Sequence, residues 1–209
     1  MMKLYGGPAP NPRRAKIFVA EKGLDIPMES IDVFKGENLT PDYLAKSPFG
    51  LVPALELDDG TVLCEVPALC RYLESQYPEP NLMGKDPIET AHIEAWERFA
   101  EMSGMQAVGE YFRNGSEAFN DRGLPGSTDL PRIEALIERG ERRIAGFYTM
   151  LEKRFAESEY LGCNRFTLAD ITALCVVDFA TFAKHGIPDG NANTKRWHAA
   201  CSARPSTKA

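Results

Sequence analysis

The 209-residue sequence is poor in the features that mark several protein classes. No apolar run approaches the roughly 18 to 20 residues that cross a bilayer, and the N-terminus has no secretory apolar region, so no membrane partner is expected and a cytoplasmic location is. The five cysteines, Cys64, Cys70, Cys163, Cys175 and Cys201, form no CxxC pair and no ligand spacing, and they read as small buried hydrophobes. Histidine is scarcer still: His92, His185 and His198 are scattered, and no metal site is expected. Positive charge is also short, with 24 Lys and Arg against 30 Asp and Glu, and the resulting net charge of -6 argues against nucleic acid as the main partner.

What is present is an ordinary globular composition, long enough for one domain or two small ones around a substantial core. Residues 48 to 77 organise the rest. Pro53 heads the run Pro-Ala-Leu-Glu-Leu, the turn Asp58-Asp59-Gly60 reverses it, and Thr61 to Cys64 return it, which is a β-hairpin. Val66, Leu69, Cys70, Leu73 and Tyr77 then fall on one helical face that ends before Pro78. A proline cannot donate to a ladder, so Pro53 belongs at a strand start. The Val52-Pro53 bond is trans by default; a cis bond there turns the Val52 backbone N–H and C=O outward, where they could clasp an extended peptide.

Upstream, Lys3 to Tyr5 is a strand candidate and Gly6 to Pro10 a loop. Asn11 followed by Pro12 reads as an N-cap and first helical residue, opening a helix that runs past Ala15, Phe18 and Val19 to Gly23. Arg13 and Arg14 default to its exposed face. Met28 to Val33 is a second strand, and a short helix follows Pro41. Pro78, Pro80, Gly84 and Pro87 mark a linker over 78–87. Only helical periods follow: 88 to about 113, then 131 to 155 with Ile133, Leu136, Ile137, Ile144, Phe147, Leu151 and Phe155 as its buried stripe, with a mobile loop expected over 114–129. Thr167 and Asp170 form a capping box at the head of a central apolar helix, and Asp178 within it is either functional or satisfied by a partner. A last helix near 193–203 carries Trp197.

Taken together, KLYGGPAPNPRRAKIFVAEKGL, PFGLVPALELDDG, LCEVPALCRYLE and RFTLADI resemble the cytosolic glutathione transferases, with bacterial nu-like and theta/phi-like features, over essentially the whole chain. The resemblance implies an α/β plus all-α architecture: a thioredoxin-like βαβαββα domain over 1–77, and an all-helical domain over 88–209 that forms the second-substrate pocket. It implies glutathione as co-substrate, a small hydrophobic electrophile, a homodimer, and a cis Val52-Pro53 bond. Thiolate chemistry at neutral pH needs donors, because a free thiol has a pKa near ~8.5. The family commonly uses Ser, Tyr or Cys; the loop here has neither Ser nor Cys, and the nu-like pattern puts Asn11 in that role, as donor, cap or both. Tyr5 is the rival donor, with a core position the stronger reading. The resemblance places Val52 on the cysteinyl backbone, and Glu65 with the helix start at Val66 on the γ-glutamyl end. Leu51 and Asn38 stand where other members assist the glycyl carboxylate, and Val66 replaces the usual Ser, so weakened glutathione binding is expected. Alternatives are glutathione-dependent disulfide reduction and a catalytically weak binding module.

Overall fold

A computed structural model describes residues 1–208. The N-terminal part follows the expected order: β1 (Lys3–Gly6), α1 (Pro10–Glu21), β2 (Met28–Ser30), α2 (Pro41–Leu44), β3 (Ala54–Glu56), β4 (Val62–Cys64) and α3 (Val66–Gln76). The sheet order is β2-β1-β3-β4, with β1 parallel to β2 and antiparallel to β3. The two-residue side-chain period sorts its faces. Leu4 and Leu55, paired across β1 and β3, face the core shared with α1 and α3. Tyr5 and Ala54, the next pair, face α2 and its Tyr43.

The hairpin forms as expected: Ala54, Leu55 and Glu56 pair with Cys64, Leu63 and Val62, and Gly60 turns at φ 85°, a backbone conformation suited to glycine. Val66, Leu69, Cys70 and Leu73 are buried on α3, whereas Tyr77 lies past the helix end and is exposed. The Val52-Pro53 bond is cis, as the resemblance implies.

Beyond Gln76 only helices follow. Asp86 accepts from the backbone N–H of Ile88 and Glu89 and so starts α4 at Pro87, one residue earlier than expected. The single helix expected to residue 113 is instead α4 (Pro87–Phe99), a π-helical stretch (Ala100–Met105) and α5 (Gln106–Gly115). Gly104 in that stretch lets three helices meet, since a Cβ there would stand 2.8 Å from both Phe147 and Val176. The remaining helices are α6 (Ala135–Glu157), α7 (Leu168–Phe182) and α8 (Ala192–Ser202). Because α6 begins after Glu134, Ile133 stays outside it and is 52% exposed rather than buried. Residues 116–130 are not an untethered loop: Phe119 is buried, and Arg122 donates to the carbonyls of Val33, Phe34 and Ala118. One continuous apolar cluster runs from Leu4, Phe18 and Leu55 to Leu174 and Trp197, so the sheet-bearing and helical parts share a core.

Asp170 holds the middle of that core. Its carboxylate accepts from the N–H and hydroxyl of Thr167, the N–H of Leu161 and the indole N–H of Trp197. Complete burial nevertheless pushes its pKa up to about 6.

Candidate active site

The head of α1 is built by prolines. Pro10 and Pro12 lack an N–H, and the Arg13 N–H is taken by the Ala9 carbonyl, so Asn11 supplies the free backbone donor of the first turn. Asn11 itself is not the cap: Ala9 takes that position, and Asn11 lies inside the helix. The first-turn dipole expected around a thiolate is therefore concentrated at one residue.

Arg14 decides how the Asn11 side chain faces. A guanidinium only donates, so the 2.9 Å contact from Arg14 Nη1 fixes Oδ1 toward Arg14. The Asn11 N–H₂ is then left as a donor with no partner within the described residues. Arg14 itself is 1% exposed, contrary to the exposed helix face expected for it. It reaches Glu97 at 2.6 Å, Glu101 at 2.7 Å and the Thr172 hydroxyl at 3.0 Å. Two carboxylates share this one buried cation. Burial first, and Glu101 beside it, push Glu97 up to about 7 against the pull of Arg14.

The other predicted residues line the start of β3 and the start of α3. Val52 precedes the cis proline, and neither its N–H nor its C=O bonds within the described residues. Glu65 is exposed and caps α3 with φ 71°, an unusual backbone for a non-glycine residue. The Ala68 and Leu69 amides both turn back to the Glu65 carbonyl and Pro67 has none, which leaves the Val66 N–H open. The Val66 side chain is core. Leu51 offers an apolar side chain, its carbonyl capped by the hydroxyls of Tyr43 and Ser47. Asn38 is 5% exposed and donates to the Gly50 carbonyl at 2.7 Å, while its Oδ1 is buried without a partner.

Tyr5 is removed as rival donor. It packs against Tyr43 on the far face of the sheet, and its hydroxyl donates to Glu56 at 2.5 Å. The model of the glutathione S-transferase N-terminal domain matches residues 9–76, and that of the C-terminal domain matches residues 110–205.

The chain belongs to the glutathione transferase family.

Among relatives, it is similar to glutathione S-transferase 2 of Saccharomyces cerevisiae, 32% identical over 99% of this chain and 88% of the relative. It is also similar to glutathione S-transferase F9 of Arabidopsis thaliana, 28% identical over 100% of this chain and 95% of that one. A glutathione S-transferase domain-containing protein from Marinobacter aquaeolei superposes with a TM-score of 0.91 at 35% identity, covering 98% of this chain and 99% of that one. These matches support glutathione transferase activity and do not favour disulfide reduction over it. Within the transferase, Asp178 is satisfied by partners: Arg13 at 2.5 Å and His198 at 2.6 Å. Burial raises its pKa, but the His198 and Arg13 contacts outweigh that and hold it below the usual carboxylate range. Arg13, expected on the exposed face of its helix, is thus committed to Asp178. Sequence reading named Arg14 only as an exposed helix residue and did not single out Glu97 and Glu101, although an arginine three residues after Asn11 is on the same helical face.

Proposed function

We propose that the transferase ionises glutathione at Asn11 and adds its sulfur to a small hydrophobic electrophile. The observation that carries this reading is the Asn11 amide, turned donor-outward by buried Arg14 beside the free Asn11 backbone N–H. Two N–H donors on one sulfur favour the thiolate over the thiol. In the reaction the thiol proton passes to solvent, the thiolate lone pair forms the new C–S bond, and the leaving group departs with the electrons of the bond it breaks.

The fit to the rest of glutathione is supported by groups that lack partners. The Val52 N–H and C=O match a short antiparallel pairing with the cysteinyl unit. The Glu65 carboxylate meets the γ-glutamyl ammonium, and the Val66 N–H its carboxylate. Asn38 and Leu51 shape the 47–52 loop rather than adding charge, so the glycyl carboxylate gains nothing from them and affinity is modest. The reading places the enzyme in the cytoplasm as a homodimer, on its resemblance to cytosolic transferases. The test is calorimetric glutathione binding together with electrophile turnover in Asn11→Ala. Binding kept within about threefold with turnover down roughly tenfold or more supports it, as the loss of one charge-assisted donor requires. Normal turnover sinks it.

A further inference from the structure

A seam of aromatic side chains runs from the sheet-bearing part across the helical part, and two cations without acidic partners stand on it. Phe119, buried between them, has Phe34 at 5.4 Å and Phe112 at 5.7 Å between ring centroids. Phe112 in turn meets Phe179 at 5.4 Å and Phe182 at 5.7 Å. Phe34 and Phe182, at the two ends, are 46% and 66% exposed. The seam borders the Asn11 turn on two sides: the Ile31 N–H bonds Gly6, which places the loop bearing Phe34 beside the one that precedes α1, and Asp178, next to Phe179, bonds Arg13.

The guanidinium of Arg113 lies 4.4 Å from the Phe119 centroid and that of Arg122 at 5.6 Å. No carboxylate lies within ion-pair distance of either among the described residues. Arg122 is spent on the carbonyls that tether residues 116–130. Arg113 is not: one nitrogen donates to the Arg122 carbonyl, and its other N–H groups have no protein partner yet are not sealed from solvent. Burial, and then the Arg122 charge, pull its pKa down to about 10, which still leaves it cationic at neutral pH. In a chain with a net charge of -6, a half-buried cation held over an aromatic floor without an anion is a site waiting for one.

We propose that this seam is the second-substrate pocket and that Arg113 makes it select aromatic electrophiles carrying a carboxylate. The inference rests on the transferase reading of the Asn11 site and deepens it. With chlorodinitrobenzoate, the thiolate sulfur forms the C–S bond at the chlorinated ring carbon, the C–Cl bond breaks, and chloride leaves with the electron pair. The ring lies against Phe112 and the exposed Phe182 beside it while its carboxylate meets Arg113.

The experiment compares chlorodinitrobenzene with chlorodinitrobenzoate as substrates of the unmodified protein, Arg113→Gln and Arg113→Lys. Calorimetry of the unreactive dinitrobenzoate and dinitrobenzene, with glutathione bound, runs beside it. The proposal expects kcat/KM to favour the benzoate, and the benzoate-to-benzene ratio to fall roughly 10- to 100-fold in Arg113→Gln, mainly through KM, with Lys restoring part of it. A ratio unchanged by Arg113→Gln overturns it, including the case in which both substrates lose equally because the 116–130 segment has loosened. Dinitrobenzoate that binds no tighter than dinitrobenzene overturns it as well, whatever the turnover. Selective, Arg113-dependent binding without conjugation of either substrate upholds the anion site and instead removes the conjugation reading.

Discussion

Replacing Arg14 by methionine strands Glu97 and Glu101 against each other in the core. Both carboxylates face the vacated space, and the Glu97 side chain is only 3% exposed. Breaking a buried ion pair by removing one partner costs about 3 to 5 kcal/mol. For a chain of this length that corresponds to a fall in Tm of roughly 10 °C. The cost depends on pH, and the sign follows from Glu97. Its folded-state pKa, already raised to about 7, rises further without the guanidinium, while its unfolded value stays near 4.5. The folded variant therefore binds more protons than the unfolded chain above pH 4.5. Its stability is greatest in acid and falls as pH rises through and beyond 7. Denaturant titrations of the wild type and Arg14→Met at pH 5.5 and 8.5 measure this, and the gap between them should widen by at least about 1 kcal/mol at the higher pH. Glu97→Gln supplies the complementary result: it keeps the shape, leaves Arg14 paired with Glu101, and should cost less than about 1 kcal/mol at pH 8.5. An Arg14→Met deficit equal at both pH values, or a Glu97→Gln loss as large as that of Arg14→Met, refutes the reasoning.

Glu65→Ala removes the charge proposed for the γ-glutamyl ammonium and should weaken glutathione binding roughly 10- to 100-fold by calorimetry, with the melting temperature of the unliganded protein almost unchanged because the side chain is exposed. Asp170→Ala orphans the Trp197 indole and the Leu161 and Thr167 amides at once, and should lower stability by about 3 to 5 kcal/mol in denaturant titration, as for other broken buried networks. Retention of wild-type stability in Asp170→Ala would show that these bonds are not the ones that fasten α8 to α7.

How far the sequence could be read follows the range of each signal. The hairpin at 54–64 and the capping box at Thr167 and Asp170 are written within a few residues, and both form. Val66, Leu69, Cys70 and Leu73 declare their burial by helical spacing. Arg14 declares nothing, because a cation on a helix reads as solvated and its partners stand 83 and 87 positions later, at Glu97 and Glu101. The same distance hides the tether of Arg122 to Val33 and Phe34, so residues 114–129 read as a mobile loop from their Gly, Ser and Asp content. The π-helical stretch at 100–105 is equally silent, since it answers a three-helix contact at Gly104. Asn11 was legible as a residue and misplaced by two positions as a cap, because Asn-Pro and Ala-Pro are rival helix starts and Pro10 took the first turn. Its donor orientation needed Arg14 to be seen.

The central claim is that Asn11 stabilises the glutathione thiolate, and the ultraviolet absorbance of the bound thiolate, titrated against pH, reads it directly. In the unmodified transferase the thiol of bound glutathione should ionise clearly below its free value of ~8.5. In Asn11→Ala, which removes the amide and keeps the backbone N–H, that pKa should rise by about 1 to 2 units, the loss of one charge-assisted hydrogen bond. The same pKa in both proteins, with glutathione bound in each, contradicts the account.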